Sequence, residues 1–132
     1  MSSSCYCTLL RMATRKLAGT YDAALAPAGI NVAQFSLLRT VQRRQPVSLT
    51  ELGRLAELDR STIGRNVRVL EKMDLVSLTR GKDQREAMVA LSETGRETLD
   101  AAAPLWDACQ TAVAERLGPQ RSEALRDLLS AF

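Results

Sequence analysis

Apolar and polar residues alternate along this chain with two different periods, and the changes of period locate its elements. Between about residues 4 and 25, Leu10, Ala13, Leu17, Tyr21 and Ala24 recur at helical spacing and predict a first helix. Pro27-Ala28-Gly29 breaks it. Asn31-Val32-Ala33-Gln34 has the form of a capping box, with the Asn31 side chain taking an orphan amide and Gln34 reaching back. A second helix follows through Phe35, Leu38 and Val41 to Arg43-Arg44-Gln45-Pro46. Ser48-Leu49-Thr50-Glu51 repeats the device and opens a short third helix, with Leu52 and Leu55 facing inward. Gly53 lies inside that helix at a cost relative to alanine, which predicts close approach to the next helix as compensation. Glu57-Leu58-Asp59 makes a turn, with Asp59 as N-cap of a fourth helix running to about Met73. Ile63, Val67 and Leu70 form its inward stripe.

The period then shortens. Residues 75–79 and 87–91 are short β-like runs separated by a charged tip containing Gly81, and they predict a two-stranded hairpin. Ser92-Glu93-Thr94-Gly95 begins a long fifth helix reaching about Leu117. Pro104 inside it removes a backbone hydrogen bond, which predicts a kink or break near residues 100–103. Gly118-Pro119 closes that helix, and a sixth runs through Leu125, Leu128 and Leu129. The fold class is mainly α with a small β-hairpin wing, a winged helix-turn-helix of six helices in a single domain, residues 1–132. That shape fits one helix into a DNA major groove with a basic loop beside it.

Charge agrees with the shape. From residue 39 to 85 there are eleven Lys and Arg against six Asp and Glu, a net of +5, while the remainder carries −2. One segment of a weakly basic chain is clearly basic, and it holds the motif. On the fourth helix Arg60, Ser61, Thr62, Arg65 and Arg68 lie near the start or off the inward stripe, so they are candidate DNA contacts. The planar guanidinium suits the paired acceptors of guanine, and a good bidentate contact discriminates by about 1–3 kcal/mol. For Arg65 recognition outweighs plain surface charge; for Arg68 an i,i+3 pair with Glu71 competes evenly. Ser61 and Thr62 suit phosphate or base contacts and equally suit a helix cap. Arg80 and Lys82 are expected at phosphates. Arg43, Arg44 and Arg54 read as surface charge.

Histidine is absent, so no Ser-His-Asp or Cys-His arrangement and no His-containing zinc site exists in this sequence. No glycine-rich phosphate loop is present. The expectation is a protein that is not an enzyme and carries no cofactor and no metal. No apolar run is long enough to span a bilayer, and the N-terminal residues lack a secretory pattern, which predicts a soluble, cytoplasmic protein without a membrane partner.

Taken together, Asn31-Val32-Ala33-Gln34-Phe35, Ser48-Leu49-Thr50-Glu51-Leu52, Asp59-Arg60-Ser61-Thr62, Leu70-Glu71, Leu75-Val76 and, above all, Asp83-Gln84-Arg85 followed by Val89-Ala90-Leu91-Ser92-Glu93-Thr94-Gly95 resemble the MarR (multiple antibiotic resistance regulator) family of bacterial transcription factors. The resemblance covers nearly the whole chain. It implies a homodimer held by residues 1–30 and 96–132, with residues 31–95 as the lobe that reads double-stranded DNA at a roughly palindromic operator. It implies a repressor released by a small-molecule effector, anionic or phenolic. Arg85 resembles the family arginine that enters the minor groove, where a narrow groove concentrates negative potential, with Asp83 steadying the wing. Effector binding between dimer helices and lobe makes Met12, Arg15, Tyr21, Phe35 and Trp106 candidate lining residues, Arg15 for a carboxylate, although Phe35 suits the core as well. Gly53 departs from a common alanine of the family.

Cys5-Tyr6-Cys7 and Cys109 leave two readings open. They are small buried hydrophobes, or redox-sensing thiols, with Cys5 and Cys7 poorly placed to pair with each other but able to pair across a dimer or with Cys109, which would make the protein a thiol-responsive regulator. Two other classes stay in play: a winged helix used for protein interaction, and a thiolate metal sensor built from these three cysteines of two subunits.

Overall fold

The computed structural model describes residues 4–80 and 85–132, and within them the helices begin where their capping residues dictate. The first, α1, spans Tyr6–Leu25 and passes into a single 3₁₀ turn over Ala26–Ala28 that ends at Gly29 with φ +78°. Helix α2, Val32–Arg44, starts with the complete capping box: Gln34 N–H donates to Asn31 Oδ1 and Asn31 N–H to Gln34 Oε1.

After α2 the chain forms β1 (Val47–Ser48), then α3 (Leu49–Ala56), α4 (Arg60–Lys72), β2 (Val76–Arg80) and β3 (Ala87–Leu91). The wing is therefore not a two-stranded hairpin alone. β3 is the central strand of an antiparallel sheet ordered β1-β3-β2, with Val47 opposite Val89 and Leu78 opposite the same residue on the other side. A two-residue strand is too short to show a period of its own, so sequence alone does not mark it. The second capping box is only half made. Ser48 Oγ accepts from Glu51 N–H, but the Glu51 carboxylate turns to Arg54, whose Nε donates to it at 2.9 Å. A guanidinium one turn away outcompetes the N-cap amide for that carboxylate.

Gly53 is buried against α4 as its cost predicted. A Cβ there would lie 3.2 Å from Ile63 Cγ2 and 3.2 Å from the Leu58 carbonyl oxygen. Between the two helices Glu57 takes a left-handed conformation, φ 53°, and Leu58 N–H returns to Gly53 O. Leu52 is fully buried while Leu55 is half-buried. Ile63, Val67 and Leu70 of α4 join Phe35, Leu38 and Val89 in the main core, and burying each such side chain contributes about 1.5–3 kcal/mol.

Helix α5, Glu93–Leu129, is capped by Ser92, whose Oγ accepts from Gly95 N–H. The backbone stays helical through Pro104, contrary to the expected break. Pro104 and Asp100 are both exposed, so the residue whose carbonyl loses its helical donor lies at the surface, where water can serve it. The break comes instead at Gly118, φ 78° and ψ 164°, where the fifth helix gives way to the sixth. Arg121 closes that joint, donating from Nε to Leu117 O and from Nη2 to Arg116 O, carbonyls that the bend leaves without helical partners. No helix among the described residues is long and apolar enough to cross a membrane.

Candidate nucleic-acid interface

The outer face of α4 is held by its first turn. Asp59 caps it: Oδ1 accepts from Thr62 N–H at 2.7 Å and from the Ser61 hydroxyl at 3.0 Å. The Thr62 amide, then the Thr62 and Ser61 hydroxyls, hold the Asp59 carboxyl below the ordinary aspartate range, with Arg65 adding a smaller pull. Ser61 thus gives its proton to the cap, and Thr62 gives its amide and is half-buried. Arg60, Arg65 and Arg68 are exposed; Arg65 and Arg68 lie on the side away from Ile63, Val67 and Leu70, and Arg60 stands at the helix start. The competing Arg68–Glu71 pair is not formed among the described residues.

Arg60 reaches toward the wing. It lines one crevice together with Arg80, Arg85, Thr50 and Thr79, about 350 Å³ in volume. The crevice thus brings together arginines of α4, β2 and the segment just before β3, with Glu86 as the acidic group among them. Thr50, in the first turn of α3, and Thr79, on the outward side of β2, were missed by sequence reasoning; the period-two alternation of residues 75–79 was the signal available for Thr79. Gly81, Lys82 and Asp83 lie outside the described residues, so the expected phosphate contact of Lys82 and the wing-steadying role of Asp83 do too. Arg54 is exposed but committed to Glu51.

The residues expected to line an effector site separate into three places. Phe35 is core, 2% exposed, and stacks on Trp106 with ring centroids 5.7 Å apart. Tyr21 is buried with Cys109 and Val113, and its hydroxyl donates to Gln110 Oε1. Burial first, then the Cys109 thiol, pushes the Tyr21 phenol above its usual pKa. Met12 and Arg15 sit on the exposed face of α1, away from that stack. Arg39 was overlooked: its guanidinium carbon lies 4.8 Å from the Trp106 ring centroid and 5.5 Å from that of Phe35.

The cysteines do not converge within one protomer. Cys5 and Cys7 are exposed, whereas Cys109 is buried and its thiol faces Thr20 O at 3.9 Å. Thr20 is fifteen residues beyond Cys5 along one helix, a separation of roughly 20 Å at the helical rise. That excludes an intrachain bridge from Cys5 or Cys7 to Cys109, because bridged Cα atoms lie within about 7 Å. Cys5 is the N-cap residue of α1 and makes no capping hydrogen bond, yet the polar groups of the first turn lower its thiol pKa, chiefly the Thr8 amide and hydroxyl, then the Cys7 amide. Among the described residues no group of three or more metal-ligating side chains comes together.

A recognition helix flanked by a basic wing defines a winged helix-turn-helix of the DNA-reading type. The model of the MarR family matches residues 28–86. Similar solved structures extend the match: the transcriptional regulator MosR of M. tuberculosis in complex with DNA is 32% identical, with a TM-score of 0.86, over 97% of this chain and 96% of that one. A probable transcriptional regulator from Pseudomonas aeruginosa is 28% identical over 95% and 94%, with a TM-score of 0.83. CouR of Rhodococcus jostii RHA1, bound to p-coumaroyl-CoA, is 27% identical over 93% and 87%, with a TM-score of 0.74. No curated protein matches the sequence. The chain belongs to the MarR family of transcriptional regulators.

Proposed function

We propose that this chain is a homodimeric repressor that reads a roughly palindromic operator and is released by a small anionic or phenolic ligand. The observation that carries the reading is the pair Arg65 and Arg68 exposed on the outer side of α4, with Arg60 at the helix start lining the crevice that also holds Arg80 and Arg85. Two such helices in a dimer enter successive major grooves, roughly 34–36 Å apart, and Arg85 takes the flanking minor groove. Residues 31–95 form the reading lobe, and residues 1–30 and 96–132 form the dimer base. An apolar groove lined by Leu10, Leu17, Leu117, Leu125 and Leu128 runs between α1 and the end of α5 and supports that assignment. Tyr6 at the start of α1 and Phe132 at the chain end are also left exposed, at 78% and 94%. The relative MosR is solved on DNA and CouR with an aromatic acyl-CoA, which favours DNA and an anionic effector as the two ligands. In this reading the protein works in the cytoplasm and catalyses nothing.

Selection of binding sites from a random duplex pool tests the proposal. Recovery of an inverted repeat with half-sites one helical turn apart supports it; recovery of no sequence contradicts it.

The lowered pKa and full exposure of Cys5 favour one second reading, in which oxidation of Cys5 and Cys7 is the release signal.

A further inference from the structure

The larger hydrophobic cluster fills the winged lobe and also takes in Leu25 of α1 and Leu99 and Ala102 of α5, so lobe and base share a core; the smaller cluster, Tyr21, Cys109 and Val113, joins α1 to α5. Trp106 and Val32 are the side chains that pack against both. Val32 is also tied to α1 through its backbone, since its N–H donates to Asp22 Oδ1 at 2.8 Å. At Trp106 the tie is a three-membered cluster in which Arg39, Phe35 and Trp106 each lie within 5.7 Å of the other two. The Phe35 and Trp106 rings lie 20° from parallel, and the Arg39 guanidinium reaches over both faces. A cation over a ring face is attracted by the ring quadrupole, more so where water is partly excluded. Arg39 is half-buried, and among the described residues no carboxylate pairs with it. The rings, rather than an ion pair, fix its position.

We infer that Arg39 is a positioning residue for DNA recognition: its guanidinium latches α2 of the lobe onto Trp106 of α5 and narrows the range of angles that the lobe takes on the base. Phe35 and Arg39 are four residues apart on α2, so they stand one above the other and grip a single ring. Packed helices shift between discrete arrangements rather than deform continuously. Loss of the cation removes one of the contacts that hold Trp106 to the lobe, and the lobe then samples a wider range of angles. The link from lobe angle to half-site spacing rests on the proposed function, whereas the latch does not.

Electron–electron distance measurement separates the two. The chain carries spin labels at E71C on α4 and E115C on α5, in a C5S, C7S, C109A background, and is mixed with excess unlabelled chain. Each labelled chain then reports its own geometry whether or not it pairs. The parent gives one narrow distance distribution, and R39Q gives one roughly twice as wide. R39K, which keeps the charge without the planar face, falls between them. R39M retains the side-chain stem and widens the distribution as R39Q does, which guards against a fold defect peculiar to glutamine. On duplexes whose half-sites are moved apart one base pair at a time, R39Q loses affinity less steeply with spacing than the parent. R39Q and R39M distributions as narrow as the parent's overturn the latch, whatever the DNA result. Widened distributions in a protein that binds no DNA uphold the latch and overturn the reading as a regulator.

Discussion

Gly95 packs so tightly against Leu75 that a Cβ on it would lie 1.9 Å from the Leu75 carbonyl oxygen. The same oxygen accepts from Ser92 N–H, and Ser92 Oγ donates to Asp74 O while accepting from Gly95 N–H. The start of α5 is thus seated on the chain segment between α4 and β2. This contact joins the long base helix to the DNA-reading lobe, so its geometry is set by backbone atoms that cannot yield.

Gly95→Ala forces that seat apart. The expected cost is about 2–4 kcal/mol, at the upper end for overpacking, because the obstructing atom is backbone. Urea unfolding checks it: the midpoint falls while the slope stays unchanged. Gly19→Ala, where a Cβ meets nothing within 4 Å, is the control and should be neutral or stabilising.

Asp59 ties the recognition helix to pH. Its carboxyl is held below the ordinary aspartate range by the Thr62 amide and hydroxyl and the Ser61 hydroxyl. A depressed folded pKa contributes stability that is complete above the unfolded value, about 3.9. That contribution is lost as pH falls through the lower folded value. The wild-type melting temperature should therefore drop more steeply below about pH 4 than that of Asp59→Asn, which keeps a capping oxygen without a titrating charge. Parallel curves for the two proteins would contradict the assignment.

Arg65 and Arg80 should fail in different ways. As a base reader, Arg65→Ala costs about 1–3 kcal/mol on the preferred operator and little on a scrambled duplex. As a phosphate contact, Arg80→Ala weakens both alike and lowers the slope of log affinity against log salt by about 0.9. Salt titrations of the two variants on both duplexes distinguish the roles.

Thiol chemistry at the start of α1 has its own test. If Cys5 and Cys7 carry the release signal, diamide lowers operator affinity reversibly, and a Cys5→Ser, Cys7→Ser variant does not respond. Cys5 should also alkylate faster near neutral pH than an ordinary thiol, since more of it is thiolate. Unchanged wild-type affinity under oxidation removes the reading.

Much of this molecule is legible in its sequence because local chemistry decides it. The caps at Asn31, Ser48, Asp59 and Ser92, the stripe of Ile63, Val67 and Leu70, and the close approach at Gly53 each follow from residues within one or two turns. What escapes depends on distant partners. The β1 strand exists because β3 is there to pair with it. Pro104 leaves the helix intact because its side of α5 is open to solvent, a fact no window around the proline contains. At the site, the outward arginines of α4 were readable from periodicity. Arg39 was not, because only the fold carries Trp106 of α5 to it across 66 intervening residues.

The central claim is tested most directly by fluorescence anisotropy of the fully reduced protein on its own upstream DNA, against a scrambled duplex, near physiological salt. The account predicts binding to the upstream DNA at least about a thousandfold tighter than to the scrambled sequence. Equal, weak and strongly salt-dependent binding to both, or binding to neither, would contradict it.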